Sequence, residues 1–347
     1  MTWLFWLIVV LVALPLAGWL YQRMGEYRDA IRFPAPGRFT EGKPERLHVH
    51  VEGERGCPVV LESGIAASSL GWRYILNNAA AFARVMAYDR AGLGWSDPTA
   101  KPRTIENLIE ELDRAIATSE LPPPFVMVGH SFGGYLLRHY AALRPGKVAA
   151  LILLDPLDPA EWCPCPPPQQ ATLDRGVMLS RRGAFLARLG VVRFALSLLT
   201  SGSRLAPKLI ARASSGRAAG ITERLVGEVR KMPKEVWPMV EAHWCQPKSF
   251  LGMAGYLESL PANCAFPPDD EALREIPLYV VSAANATPVR RRGHARLASL
   301  SKRGVLIEAE DCGHWVHLDK PTLVLRLIRE ACGAAPAPAA INSSHNV

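Results

Sequence analysis

One serine in this chain lies where a hydroxyl could act as a nucleophile. Ser131 is the centre of the sequence Gly-His-Ser-Phe-Gly at residues 129–133, after an apolar run and before a helical pattern. A glycine on each side lets the backbone turn sharply from a strand into a helix without side-chain clashes. Such a turn raises the hydroxyl above a sheet and aims the N–H of Phe132 at an oxyanion formed there. The pattern predicts acyl transfer through Ser131.

A serine hydroxyl is a weak nucleophile until a base takes its proton. His314 is the predicted base, because it follows the last apolar run and precedes the final helical pattern. Its ring can therefore reach the edge of the sheet at which Ser131 is expected. The remaining candidates are predicted to be structural: His48 and His50 on an early strand, His130 beside the serine, His243 in a helical segment, and His317.

The elements expected around these residues alternate between strands and helices. Short apolar runs typical of buried strands lie at residues 47–51, 58–61, 84–88, 125–128, 150–154, 278–281 and 305–307. Helical patterns lie at residues 104–118, 132–143 and 322–331. This alternation predicts an α/β fold with a mainly parallel sheet and helices on both faces.

The same patterns predict how the chain divides. The α/β core is expected to comprise residues 45–155 and 277–333, interrupted by a helical lid at residues 156–276 that is too long for a loop. Residues 1–22 are predicted to be a transmembrane anchor and residues 23–44 a linker. Residues 334–347, rich in Ala and Pro and then polar, are expected to be a disordered tail.

The anchor prediction depends on the apolar N-terminus. Residues 2–21 contain no charged side chain, which matches the length of a helix across a bilayer, and Trp3 and Trp19 suit its two interfaces. A cleaved signal peptide is the alternative, although no Lys or Arg precedes the apolar run. Arginines follow it at positions 23, 28 and 32, so the positive-inside rule places the catalytic domain on the cytoplasmic side.

Composition argues against several other classes of protein. An apolar fraction of 49% with 21% charged residues is typical of a folded globular chain. The net charge of +8 comes from scattered arginines, which favours membrane lipid headgroups as a partner and no nucleic acid. The seven cysteines lack the paired spacing of a zinc site, so we expect packed thiols, no disulfide framework and no metal.

Four blocks of the chain together resemble the α/β-hydrolase fold superfamily, in particular its lidded members with a serine in the elbow. The blocks lie at residues 59–72, 88–96, 129–133 and 311–321, and the resemblance runs from residue 47 to 331 without the insertion. It implies that the backbone N–H of Ile65 joins that of Phe132 in an oxyanion hole. It also implies a structural role for Asp89 and Arg90, which we expect to form an internal ion pair.

The resemblance leaves the acid of the catalytic triad open. Most members carry it after the strand predicted here at residues 278–281, where this chain continues with Ser-Ala-Ala-Asn-Ala-Thr and no carboxylate. Some lidded members carry it after the preceding strand, where Asp155 lies. Asp155 is therefore the predicted acid and Asp158 the second candidate, while the remaining alternative is that Asn285 orients His314.

These residues predict a serine hydrolase that acts on a carboxylic ester or related small acyl substrate through an acyl-enzyme on Ser131. We expect no cofactor and no obligate protein partner, and the anchor and lid favour a lipophilic substrate. A serine in the elbow argues against epoxide hydrolases and dehalogenases, whose nucleophile is a carboxylate. An acyltransferase and a catalytically idle binding protein of the same fold remain as alternatives.

Overall fold

The computed structural model describes residues 2–42, 45–200 and 229–334, and its centre is an eight-stranded sheet. The strands are β1 (Arg38–Phe39), β2 (His48–Glu52), β3 (Cys57–Glu62), β4 (Ala83–Tyr88), β5 (Phe125–His130), β6 (Val148–Leu154), β7 (Leu278–Ala283) and β8 (Gly304–Ala309). Their order in the sheet is β1-β2-β4-β3-β5-β6-β7-β8. The pairs β1–β2 and β2–β4 are antiparallel and the others are parallel. The carboxyl ends of six parallel strands therefore share one edge.

Helices cover both faces of this sheet. They are α1 (Thr2–Arg32), α2 (Arg73–Ala79), α3 (Ile105–Ser119), α4 (Phe132–Leu143), α5 (Pro167–Arg188), α6 (Val191–Thr200), α7 (Trp237–Trp244), α8 (Pro247–Ala265), α9 (Pro288–Ala298), α10 (Val316–Asp319) and α11 (Pro321–Ala334). One buried apolar cluster packs α3 and α4 on one face, and a second packs α2 and α11 on the other.

The predicted strands and helices are confirmed, and their ends shift by three residues or fewer. Strands β5 and β6 are buried along their whole length because helices cover both faces, which explains their continuous apolar runs. Helix α3 begins where the Thr104 side chain accepts a hydrogen bond from the N–H of Asn107, and its apolar residues face the sheet. The expected α/β fold with a mainly parallel sheet is therefore present.

The N-terminal segment differs from the prediction. Helix α1 continues to Arg32, so residues 23–32 are helical where a linker was expected. These residues contain no proline, and Gln22 and Arg23 both bond to Glu26 one turn later. Among the residues that the structure describes, no helix is both long and apolar enough to cross a membrane, and the predicted transmembrane helix is not supported. Most of the predicted disordered tail, residues 335–347, lies outside the described residues.

Helix α1 packs on the helices between β6 and β7. The buried Gln22 donates from Nε2 to the carbonyl oxygen of Cys245 at 2.9 Å, and Asp29 pairs with Arg193 at 2.7 Å. Between β6 and β7 the described residues form helices α5 to α8 and no strand. Helix α7 packs over the loop after β3 through a small apolar cluster that contains Leu70 and Val240.

Two cysteines are paired, contrary to the expectation of free thiols only. Cys57 at the start of β3 and Cys332 in α11 form a disulfide with their Cα atoms 5.6 Å apart. The two residues are 275 positions apart in sequence, so no local spacing could have indicated the bond. The other five cysteines are free.

Candidate active site

Ser131, His314 and Asp155 form one hydrogen-bonded row at the carboxyl edge of the sheet. The Oγ atom of Ser131 lies 3.0 Å from Nε2 of His314, and Nδ1 of His314 lies 2.5 Å from Oδ2 of Asp155. An ionised carboxylate only accepts hydrogen bonds, so Nδ1 of His314 donates and its Nε2 is free to take the serine proton. The structure thus brings the three predicted residues together in the order that proton transfer requires.

The backbone at Ser131 is strained in the way that the flanking glycines predict. Ser131 links β5 to α4 with φ 55° and ψ −120°, a conformation that residues other than glycine rarely adopt. A side chain at Gly133 would place its Cβ 2.5 Å from the carbonyl oxygen of Ser63. Only glycine fits there, because the elbow packs directly on the turn after β3.

The two predicted oxyanion donors lie on the chain segments that flank the serine. Phe132 is the first residue of α4, so its N–H has no acceptor within the helix. On the other side, a Cβ atom at Gly64 would lie 3.5 Å from Cβ of Ser131, and Ile65 is the next residue in that turn. The Ile65 amide therefore lies in the segment that passes over Ser131.

Asp155 is held in its ionised form although it is buried. It directly follows β6 with 1% of its surface exposed, and its Oδ1 accepts a hydrogen bond from the N–H of Ala283 at 3.1 Å. Burial opposes ionisation, but the hydrogen bond and charge of His314 and the Ala283 bond outweigh it and lower the pKa of Asp155 below its usual value. The carboxylate is therefore charged at neutral pH and can stabilise an imidazolium at His314.

The alternative residues for the acid lie elsewhere. Asp158 accepts from the N–H of Ala160 at 3.0 Å and pairs with Arg296 at 3.0 Å, so it caps a short helical turn. Asn285 is exposed, and the position on Nδ1 of His314 that it would need is taken by Asp155.

Two neutral histidines surround His314. The ring of His130 lies 4.7 Å from the rings of His314 and His317, and its Nε2 donates to the carbonyl oxygen of His314 at 2.8 Å. Burial, with the neighbouring histidines as the second cause, lowers the pKa of His130 well below its usual value and that of His317 to about 3. Neither ring therefore adds a positive charge where the imidazolium of His314 would form.

The predicted ion pair between Asp89 and Arg90 is wrong. Asp89 lies 2.8 Å from Nδ1 of His48 and accepts from the N–H of Ser69 at 2.7 Å, whereas the guanidinium of Arg90 lies 3.6 Å from Glu62. Adjacent side chains on extended backbone point to opposite sides, so consecutive residues after a strand seldom meet each other. Both residues are buried, and each has a different partner.

The loop that carries His314 is fixed by a carboxylate whose role the sequence did not reveal. Oδ2 of Asp319 accepts from the N–H of Gly313 at 2.7 Å, and its Oδ1 pairs with Lys231 at 2.7 Å. Asp319 belongs to a block that carried the family resemblance, which was the only signal available. Its partners become adjacent only in the folded chain.

Two further residues behind Asp155 were also missed. Arg290 lies 3.7 Å from Asp155 and pairs with Glu161 at 2.8 Å. The buried His294 lies 4.0 Å from Asp155 and donates from Nε2 to the carbonyl oxygen of Pro156 at 3.0 Å. No sequence signal separates Arg290 from the two arginines that follow it.

The chemistry available at this edge is nucleophilic attack with proton transfer. In this arrangement Ser131 can supply the hydroxyl, His314 the base and Asp155 the charge that orients it. Within residues 2–42, 45–200 and 229–334, no group of three or more His, Cys, Asp or Glu side chains is arranged to hold a metal ion.

Comparisons of the sequence with known proteins indicate the same fold as the structure. The sequence profile of the alpha/beta hydrolase fold matches residues 58–321. Lipase LipV of Mycobacterium tuberculosis is 29% identical over 293 residues, which are 83% of this chain and 98% of that protein. An uncharacterised protein of Bacillus subtilis, YqjL, is 29% identical over 107 residues, and this match covers 31% of the chain but only 42% of YqjL.

A solved structure gives the same result. The enol-lactonase from Burkholderia xenovorans LB400 superimposes with a TM-score of 0.56 at 18% identity, covering 85% of this chain and all of that one. At this identity the likeness concerns the fold alone. Together with the profile match over residues 58–321, it shows that the chain belongs to the α/β-hydrolase fold family of enzymes.

Proposed function

We propose that this protein hydrolyses a carboxylic ester or a related acyl substrate through an acyl-enzyme on Ser131. The observation that carries the proposal is the hydrogen-bonded row from Ser131 through His314 to the buried Asp155. The match to a protein named as a lipase over most of both chains supports the same class of reaction.

In the proposed reaction each of these groups takes part in a defined step. As Oγ of Ser131 attacks the carbonyl carbon, Nε2 of His314 takes the hydroxyl proton, and the carbonyl electron pair moves to the oxygen. The N–H groups of Ile65 and Phe132 stabilise this oxyanion. His314 then gives its proton to the leaving alkoxide, which breaks the ester bond and leaves the acyl group on Ser131. Water attacks the acyl-enzyme by the same steps in reverse order and releases the acid.

A serine-directed fluorophosphonate probe and product analysis test this function. The full chain should become labelled at Ser131 and should convert a p-nitrophenyl ester into equal amounts of acid and phenol. A folded protein that neither labels nor hydrolyses would be a binding protein. If an added alcohol receives the acyl group and little acid forms, the protein is an acyltransferase.

We also propose that the substrate is lipophilic and that α1 and α5 contact a lipid surface. Both helices expose large apolar side chains, among them Trp3, Leu11, Val12, Leu14 and Leu16 on α1, and Met178, Leu179, Phe185 and Leu186 on α5. Contiguous exposed apolar residues indicate an interaction site. The helices that carry the two surfaces meet near their ends, because a Cβ atom at Gly190, after α5, would lie 2.6 Å from the carbonyl oxygen of Gly18. The exposed Arg175 and Arg182 on α5 suit acidic headgroups.

Vesicle binding tests the lipid contact. The chain should sediment with vesicles of phosphatidylcholine and phosphatidylglycerol, and the double substitution F185S/L186S should lower the bound fraction about tenfold. Each such side chain is worth on the order of 1.5–3 kcal/mol when it leaves water completely. F266S is the matched control, because Phe266 is 78% exposed but lies outside this surface. Wild-type protein that stays in the supernatant, or equal loss in both variants, would contradict the proposal.

The disulfide supports a location that differs from the expected cytoplasmic side. Disulfides persist in oxidising compartments, so the Cys57–Cys332 bond favours placement of the hydrolase domain in such a compartment. Alkylation of the denatured protein, isolated from its own cells without reductant, should modify five cysteines, and seven after reduction. Seven reactive thiols before reduction would restore the cytoplasmic interpretation.

A further inference from the structure

A buried arginine lies directly beneath the turn that carries one of the oxyanion donors. Arg90 follows β4 and exposes only 1% of its surface. Its Nη2 atom donates to the carbonyl oxygen of Ser63 at 3.1 Å and also to that of Gly64. These are two successive carbonyl groups of the turn after β3, so one guanidinium nitrogen of Arg90 fixes the position of this turn.

The hydrogen bond from Arg90 to Gly64 acts on the peptide unit that carries the N–H of Ile65. The carbonyl of Gly64 and the N–H of Ile65 belong to the same peptide unit, which is planar and trans, so they point in opposite directions. Fixing the Gly64 oxygen on Arg90 therefore fixes the direction of the Ile65 N–H. A cation on the carbonyl oxygen also polarises the peptide and strengthens its N–H as a donor.

Arg90 is itself held by groups on both sides of the site. Its guanidinium lies 5.7 Å from the ring centre of Phe132, the other oxyanion residue, and 4.7 Å from that of Tyr256 on α8. Its Nε lies 3.6 Å from a carboxylate oxygen of Glu62, the last residue of β3. The arginine thus connects the turn after β3, the start of α4 and a helix of the insertion.

A second buried arginine has contacts that we interpret as structural. Arg103 is 2% exposed, binds Glu111 through two hydrogen bonds of 2.6 and 2.7 Å, and donates to the hydroxyl of Tyr256 at 2.9 Å. It shares the Tyr256 ring with Arg90, but its described hydrogen bonds do not include the carbonyl groups of the turn after β3. The two arginines therefore form a matched pair that differs in the hydrogen bonds to the carbonyl groups of the turn after β3.

We propose that Arg90 is a positioning residue of the oxyanion hole, which orients and polarises the Gly64–Ile65 peptide through its carbonyl oxygen. This inference rests on the proposed ester hydrolysis, because the oxyanion exists only during acyl transfer. Arg90 does not touch the reacting atoms, and the effect we assign to it passes through the Ile65 N–H. It should therefore change the stability of the tetrahedral intermediate and leave ground-state binding unaffected.

The test compares R90M with R103M and adds R90K and the double variant E62Q/R90M, which leaves no unpaired buried charge. For R90M we expect kcat to fall about 10- to 100-fold with KM within about threefold, less than the loss of a whole oxyanion donor. Affinity for a trifluoromethyl ketone, whose adduct with Ser131 places an oxyanion in the hole, should fall by the same factor as kcat/KM. R90K should recover part of the loss, and R103M should stay within about threefold of wild type in kcat.

The possible outcomes distinguish the role of Arg90 from the proposed function itself. If wild-type protein hydrolyses esters but R90M matches R103M in kcat and in ketone affinity, Arg90 has only a structural role. If R90M loses kcat and thermal stability together while E62Q/R90M regains both, the loss came from an unpaired charge and the inference also fails. Wild-type protein without hydrolysis or fluorophosphonate labelling would instead refute the proposed function, and the role of Arg90 with it.

Discussion

Ser131→Ala and His314→Ala should each lower kcat for ester hydrolysis by about 10⁶-fold, and the double variant should be no slower than either. The reason is the single hydrogen bond of 3.0 Å that joins Oγ of Ser131 to Nε2 of His314. Without the hydroxyl no acyl-enzyme forms, and without the imidazole the hydroxyl keeps its proton. Removing the second residue of an inactive pair therefore lowers kcat no further. Initial rates with a p-nitrophenyl ester, together with fluorophosphonate labelling, measure this.

Controls for these variants come from residues of the same type outside the site. His50, which pairs with Glu52 on β2, and Ser299, which lies exposed at the end of α9, can both be replaced by alanine. H50A and S299A should keep wild-type rates within about threefold, as expected for substitutions away from reacting groups. A residual kcat above about 1% in S131A would show that another nucleophile carries the reaction.

The part of the site that sequence could predict is the part encoded by local backbone constraints. The elbow at residues 129–133 is visible because a strained serine and a close contact at Gly133 require small neighbours at fixed spacing. The strands around it are visible because burial on both faces selects continuous apolar runs. His314 followed from its place after the last predicted strand, whereas Asp155 was implied by the resemblance to lidded members of the family.

The parts that sequence could not predict depend on contacts between distant segments. Arg90 binds Glu62 and the carbonyl groups after it, although its neighbour Asp89 is the nearest carboxylate in sequence. The disulfide joins residues 275 positions apart, and Asp319 reaches across its own loop to Gly313. Packing determines which of these groups meet. A buried charge, for example, binds the complementary group that the fold brings within reach. Sequence spacing carries no information about that choice.

The surroundings of His314 favour the transient charge that the proposed mechanism places on it. His130 and His317 are neutral, and within the described part of the chain the ring of His314 bonds to the ionised carboxylate of Asp155. A positive charge that forms on His314 thus meets a negative neighbour and no competing cation among the adjacent histidines. The charge of Asp155 then determines how far the imidazolium is stabilised.

Asp155→Asn should therefore lower kcat by about 10⁴-fold, whereas Asp158→Asn should stay within about threefold of wild type. Both carboxylate oxygens of Asp155 accept hydrogen bonds, one from Nδ1 of His314 and the other from the N–H of Ala283. An asparagine has one accepting oxygen, which the Ala283 N–H requires, so its NH₂ group would face His314. That arrangement favours protonation of His314 at Nε2, the atom that must accept the proton of Ser131.

Asp158→Asn is the matched control, because it makes the same chemical change three residues away. Asp158 bonds to the N–H of Ala160 and pairs with Arg296, whose side chain is 65% exposed, so losing its charge weakens a pair that is not hydrogen-bonded to His314. The kcat of both variants, measured with thermal unfolding to show that each is folded, separates the two carboxylates. Folded D155N with a rate within tenfold of wild type would remove Asp155 from the triad and leave Asn285 to orient the ring. A large loss in D155N alone would mean that the acid of this chain lies after β6, where the Asp155 carboxylate bonds to Nδ1 of His314.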